Sequence, residues 1–167
     1  MIFRLFLIAC LLLPFRATAA GSEYSQTPFY NAKDEAQTLK QFQGTPVIVF
    51  LWSKTCAVCM ASLTALDSLR QKYPSEQLKI IPIMSKKANL NDARLIMVKL
   101  DIRRLPIYLD KDSIFANSIG LKSFPLAVLL NAEGKEIQRL KGRVDWTSPL
   151  ITHKLDNLIK EVSHAGQ

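Results

Sequence analysis

Val47–Trp52 (Val-Ile-Val-Phe-Leu-Trp) is an unbroken apolar run rich in β-branched and aromatic side chains. A strand of this kind has no polar face, so it fits only in the middle of a sheet covered on both sides. Just beyond it, Cys56-Ala57-Val58-Cys59 opens a segment in which Cys59, Leu63, Leu66, Leu69 and Tyr73 recur at helical spacing, with Pro74 as the stop. Ser62, Thr64, Ser68 and Lys72 are expected on the other faces of that helix. A fully buried strand feeding directly into an amphipathic helix is the working unit of a layered α/β fold.

The flanking sequence repeats this alternation. Asn31 is a candidate cap for a helix over about Ala32–Phe42, stopped by Gly44 and Pro46. Leu78–Met84 reads as a second strand, although Pro82 argues against full pairing there. Asn89 or Asn91 opens a helix through about Lys99, Leu105–Leu109 is a short strand, and Lys111–Ile119 is a helix stopped by Gly120. Pro125–Leu130 is a strongly apolar strand. Asn131–Gly134 is a turn, and Lys135–Leu140 alternates as a surface strand. The chain closes with an amphipathic helix carrying Leu150, Ile151, Leu155, Leu158, Ile159 and Val162 on one face, with Thr147 or Ser148 as its cap. Strands alternating with helices imply parallel pairing, and the closing hairpin adds antiparallel strands, so the expectation is an α/β fold with a mixed central sheet and helices on both faces.

Residues 1–20 have the pattern of a secretory signal peptide. A basic start ends at Arg4, Leu5–Leu13 is apolar, and Ala17-Thr18-Ala19 supplies small residues for cleavage. A retained membrane anchor is the competing reading, but this run is far short of the roughly 20 residues a spanning helix needs. Leu7-Ile8-Ala9-Cys10 falls too early to serve as a lipoprotein box. Residues 21–28 are polar and read as a flexible leader, followed by one domain over 29–163. Loss of Arg4 and Arg16 with the leader takes the formal net charge from +8 to +6. The cations are dispersed in short clusters, Lys86-Lys87, Arg103-Arg104 and Lys135–Arg143, with no nucleic-acid motif among them, which argues for a solvated surface rather than nucleic-acid binding.

The cysteines narrow the chemistry. Cys10 belongs to the leader, so the mature chain keeps Cys56 and Cys59 alone. Two residues apart, they make a poor loop-closing staple and a good redox pair. Cys56 lies at the start of a helix, where free backbone N–H groups and the positive end of the helix dipole stabilise a thiolate. Lys54 is a nearby positive charge, though mobile surface lysines generally add little. Cys59 heads the apolar stripe and is expected to be the more buried thiol. Cys56 is therefore the expected nucleophile and Cys59 the resolving thiol, with no cofactor beyond the pair itself. A zinc site lacks ligands, since His153 and His164 lie far along the chain. Copper(I) held with Met60, Met84 and Met97 is the alternative metal reading, against ordinary core packing of those methionines.

Val47–Cys59 resembles the active-site strand and turn of thioredoxin-like proteins, and more narrowly the TlpA/ResA/CcmG group of periplasmic thioredoxins. Lys79–Leu109, followed by Asp110–Gly120, is similar to the mid-domain strand–helix insertion of that group and its return. Ser123–Leu130 is similar to its cis-proline segment and following strand, and Asn131–Gly142 to its terminal hairpin. The resemblance covers about Phe29–Val162. It implies a thioredoxin-like fold, a cis Pro125 facing the dithiol, and a substrate-binding surface formed by Trp52, Thr55, Phe124 and Pro125. It also implies a monomeric periplasmic reductant of protein disulfides that receives electrons from a DsbD-like membrane donor. Apocytochrome c cysteines or the copper-site cysteines of an oxidase assembly factor are the implied substrates. An oxidase or isomerase, or a copper-binding module on the same scaffold, are the other readings. Three positions depart from the pattern: Phe50 and Ser62 stand where an acid is usual, and Thr55 replaces an aromatic. The Ala57-Val58 pair does not indicate the direction of electron flow.

Overall fold

The computed structural model describes residues 23–165; the expected signal peptide lies outside them. Among the described residues the strands are β1 (Phe29–Asn31), β2 (Ala36–Gln37), β3 (Val47–Trp52), β4 (Lys79–Met84), β5 (Tyr108–Leu109), β6 (Leu126–Leu130) and β7 (Glu136–Lys141). The α-helices are α1 (Ala57–Lys72), α2 (Leu90–Lys99), α3 (Ile114–Ser118) and α4 (Pro149–Ala165). The strands form one mixed sheet in the order β2-β1-β5-β4-β3-β6-β7. The sheet is parallel along β3–β4–β5 and antiparallel at β3–β6, β6–β7, β1–β5 and β1–β2. None of the described helices is long and apolar enough to cross a membrane.

Every residue of β3 is buried, and its two faces serve two cores. Ile48, Phe50 and Trp52 pack with Cys59, Leu63, Leu66 and Leu69 of α1 and with Ile151 and Leu155 of α4. Val47, Val49 and Leu51 pack with Phe115, Ala116 and Ile119 around α3, and with Tyr24 and Phe29. Alternation along an extended chain makes this division automatic. Pro82 is accommodated in β4 because β5 pairs only with Ile83 and Met84, leaving the preceding part of β4 without a neighbour on that side.

The expected helix over Ala32–Phe42 is absent. Asn31 turns the chain instead of capping a helix: its side-chain oxygen accepts the N–H groups of Lys33 (2.9 Å) and Glu35 (3.0 Å), and Asp34 takes a left-handed φ of 66°. The result is a β1–β2 hairpin and then a 3-10 turn at Leu39–Phe42. This arrangement lets Phe29 meet Phe42, Tyr108 and Phe115 in an aromatic cluster. The leader expected to be flexible forms a 3-10 turn over Glu23–Gln26 and is anchored by Tyr24, which is buried, stands edge-on to Phe115, and donates its hydroxyl to Glu136 Oε2. The expected strand at Leu105–Leu109 is reduced to Tyr108–Leu109, the two residues that pair with β1 and β4. Pro106 before them has no N–H to give a ladder, and the chain just upstream is held by Asp67, which accepts the N–H groups of Arg103 and Arg104 (3.2 and 2.6 Å). Ser62 faces inward and is buried, its small side chain fitting against the core.

Two buried carboxylates brace the loops. Asp67 of α1 also receives the Arg104 guanidinium at 2.9 Å, tying the helix to the segment before β5. Asp110 accepts the N–H groups of Phe115 and Ala116 and the Ser85 hydroxyl, so one side chain caps α3 and joins it to the end of β4. That capping starts α3 at Ile114, later than the expected Lys111.

Asp67→Ala removes an acceptor from two backbone N–H groups and a guanidinium, and is expected to cost about 3 kcal/mol. The measurement is the urea midpoint at unchanged m. An unshifted midpoint would contradict the bracing role. A second expectation concerns pH. The Arg139 guanidinium, aided by the Tyr24 hydroxyl and opposed by partial burial, holds the Glu136 carboxyl below its ordinary range. With a lowered folded-state value, its contribution is complete above the ordinary glutamate range and is lost as pH falls through that lowered value. Glu136→Gln should therefore flatten the acid limb of a melting-temperature-against-pH profile while leaving its slope at neutral pH unchanged.

Candidate active site

β3 delivers the chain to the site end of the sheet. After Trp52, the Cys56 N–H donates to the Ser53 carbonyl at 3.2 Å, closing a tight turn, and α1 begins at Ala57. Cys56 is the N-cap: its Sγ accepts the Cys59 N–H at 3.1 Å, and its carbonyl accepts the same N–H at 3.0 Å. The sulfur therefore sits where the unpaired donors of the first helical turn converge. Arg70 and Lys72 in the last turn complement the other end of the dipole. Cys56 and Cys59 are joined as a disulfide, with Cα atoms 5.2 Å apart.

The two sulfurs differ in environment. Cys59 is fully buried (0% exposed) and belongs to the core under α1, whereas Cys56 is half-buried at its edge. Such a pair can present one sulfur outward and keep the other shielded until the first has reacted.

The remaining expected site residues divide. The Phe124–Pro125 peptide is cis, and Leu126, just after it, is paired with Leu51 of β3, which brings this segment to the same end of the sheet as the disulfide. The Pro125 carbonyl accepts the Gly142 N–H, tying the loop to the chain after β7. Phe124 is half-buried and packs against both cores. Thr55 is exposed, with its hydroxyl 3.4 Å from Ser53 Oγ. Trp52 departs from the expectation of a substrate contact. It has no exposed surface, because its side chain points into the core under α1, and it supports the site from behind.

Lys54 is held by Asp92 at the start of α2, Nζ to Oδ2 at 2.5 Å. Asn89 caps that helix through the Asp92 N–H and also donates to the Asp92 carboxylate. Lys54 first and Asn89 second keep the Asp92 carboxyl below its usual range. Phe50 and Ser62 are both buried where an acid would be usual. The buried carboxylates among the described residues, Asp67 and Asp110, are both occupied by the hydrogen bonds given above. Met84 and Met97 are buried core residues and Met60 packs against the same core. Asp92 and Asp110 went unremarked in the sequence; the faint signal for each is an acidic residue close to a helix start.

A family model described as Redoxin matches residues 19–158. The thiol–disulfide oxidoreductase ResA of Bacillus thuringiensis subsp. konkukian (strain 97-27) is 27% identical over 104 residues, 62% of this chain and 59% of that protein. The chain thus matches little more than half the length of this curated relative. Among solved structures, a secreted disulfide oxidoreductase of Mycobacterium tuberculosis homologous to E. coli DsbE superposes with a TM-score of 0.63 at 16% identity, covering 85% of this chain and 98% of the other. The exposed lipoprotein thioredoxin of Streptococcus pneumoniae strain TIGR4 gives 0.66 at 19% identity, covering 78% and 97%. At these identities the likeness carries the fold, which is the expected thioredoxin-like one. The family match takes in every strand, the cysteine pair and the cis-proline loop, and the chain therefore belongs to the Redoxin family.

Proposed function

We propose that the protein is an exported thiol–disulfide oxidoreductase that reduces specific protein disulfides, with Cys56 as nucleophile and Cys59 as resolving thiol. The observation that carries this reading is the asymmetry of the pair: an accessible sulfur at a helix N-terminus, bonded to a sulfur with no exposure. In the reduced protein the Cys56 thiolate attacks one sulfur of a substrate disulfide. The substrate S–S bond breaks, a mixed disulfide forms, and the first substrate thiolate leaves. Cys59, as thiolate, then attacks Cys56 Sγ, which restores the Cys56–Cys59 bond and releases the second substrate thiolate. Two electrons pass to the substrate, whose thiolates take protons from solvent. The cycle needs a reductant for the pair, and a DsbD-like membrane donor is its proposed source.

The proposed compartment is the periplasm. The signal-like leader supports export, as do relatives described as secreted or exposed. Cytochrome c cysteines or copper-site cysteines are the proposed substrates, in keeping with the resemblance at Val47–Cys59 and Ser123–Leu130. The protein is proposed to act as a monomer.

Sub-stoichiometric iodoacetamide added to the reduced protein at neutral pH should label Cys56 in large excess over Cys59, read by fragment-ion mass spectrometry. Equal labelling would remove the basis for the assigned roles. Cys59→Ser should accumulate mixed disulfides with substrate proteins in the cell envelope, and Cys56→Ser should accumulate none. A reductant should also show a potential well below the roughly −120 mV of strong disulfide oxidants when equilibrated with glutathione. A value near that figure would assign the protein to the oxidases.

A further inference from the structure

A groove of about 380 Å³ opens at the site end of the sheet, on the α3 side. Phe124 of the cis-proline loop forms one wall, with Lys122 and Ser123 beside it; Ser85 and Lys86, at the end of β4, lie opposite; and Asn117 of α3 contributes to the lining. Its position relative to the disulfide follows from the sheet. The Ser85 N–H donates to the Trp52 carbonyl at 2.9 Å, and Trp52 is the last residue of the strand that leads to Cys56.

The charge of this groove is one-sided. Lys86 and Lys122 are exposed, no carboxylate lines the groove, and neither lysine takes part in an ion pair among the described residues. Several other cations are neutralised locally: Lys54 by Asp92, Lys111 by Asp34, Arg104 by Asp67 and Arg139 by Glu136. The acid nearest the groove floor, Asp110, is buried and spends its oxygens on Ser85, Phe115 and Ala116. The loop carrying Lys86 is also conformationally specified. Lys86 and Lys87 both take left-handed backbone angles (φ 61° and 58°), an arrangement that two successive non-glycine residues rarely adopt. The Ser85 bonds to Trp52 and Asp110 anchor this loop at its start.

From this we infer that Lys86 and Lys122 are specificity-determining residues, which select protein substrates whose target cysteine lies in an acidic segment. The inference rests on the proposed thiol–disulfide exchange and names its substrate class. An extended chain that lies in the groove beside Phe124 meets a lining that carries both lysines and no carboxylate. Carboxylates flanking its target cysteine gain attraction on approach, and lysines there are repelled. Charges of this kind act mainly on association rate and are screened by salt.

The test uses reduced Cys59→Ser protein and three peptide disulfides with a common leaving thiol, their reactive cysteine flanked by Glu, Ser or Lys. The readout is the second-order rate constant for mixed-disulfide formation. Glu-flanked peptide should react about tenfold faster than Lys-flanked peptide at low ionic strength, a preference that shrinks at high salt. Lys86→Glu combined with Lys122→Glu should abolish or invert that ratio. Lys40→Glu with Lys135→Glu makes the same change in net charge at the opposite end of the sheet, and should leave most of the preference. If the distant pair erases the preference as fully as the groove pair, the effect belongs to overall charge and the assignment to the groove is overturned. Equal rates for all peptides with the parent protein would overturn it as well. No mixed disulfide with any peptide would overturn the exchange chemistry itself, and the inference with it, an outcome distinct from a loss of charge preference.

Discussion

The architecture depends on the burial of β3 on both faces. An extended chain with six apolar side chains must send three to each side, and each set needs a separate cover. Here α1 and α4 supply one cover, while α3 and the N-terminal aromatic residues supply the other. Fully burying side chains of this size is worth about 1.5–3 kcal/mol apiece, so β3 cannot slip in register without exposing or clashing most of its length. That rigidity passes directly to the site. The turn at Ser53–Thr55 leaves the end of a strand that cannot shift, and the first turn of α1 begins within a few residues. Cys56 is thus set at a helix N-terminus by packing, and the Cys59 N–H aimed at its sulfur comes from backbone already committed to the fold.

Around this apolar frame, two buried carboxylates organise the irregular segments. Asp67 gathers two backbone N–H groups and a guanidinium from the chain before β5. Asp110 gathers two helical N–H groups and a hydroxyl across the end of β4. A buried carboxylate is costly unless its oxygens are fully used, and both are. Their work is positional, and Asp110 in particular fixes the floor next to the cis-proline loop.

What the sequence revealed was whatever local pattern encodes. The unbroken apolar run of Val47–Trp52 marked β3, and the period-3.6 apolar spacing marked α1, because each element carries its own burial in its sequence. The strand after Pro125 and the terminal hairpin were legible because Pro125–Leu130 and Asn131–Gly134 carry their signals within a few residues, whereas the cis peptide before Pro125 was implied by the resemblance alone. The helix expected at Ala32–Phe42 failed for the opposite reason. Asn31 suits a helix cap and an Asx turn equally, and the decision falls to Phe29, whose burial needs Tyr108 and Phe115 from far along the chain. Ser62 was expected on an outer face of α1 and is buried, and Asp67 carries no local signal of its role, because its partners lie 36 and 37 positions away. Trp52 looked like a surface contact by resemblance, and its complete burial follows from its place at the end of the same unbroken apolar run that made β3 recognisable.

Two kinds of electrostatics operate at the site end, and they separate in their physics. The cation two positions before the nucleophile, Lys54, is held by Asp92, so stabilisation of a Cys56 thiolate falls to the backbone of the first turn of α1. There the Cys59 N–H lies 3.1 Å from the sulfur and is fixed by the helix, and salt in the surrounding solvent screens it little. Lys86 and Lys122 line the groove, exposed and without ion-pair partners among the described residues, where their field reaches into solvent over about a Debye length. Reactivity of the sulfur and attraction of a chain toward it therefore rest on different groups. A change at the groove can alter which segment arrives without altering what the sulfur does once the segment is there.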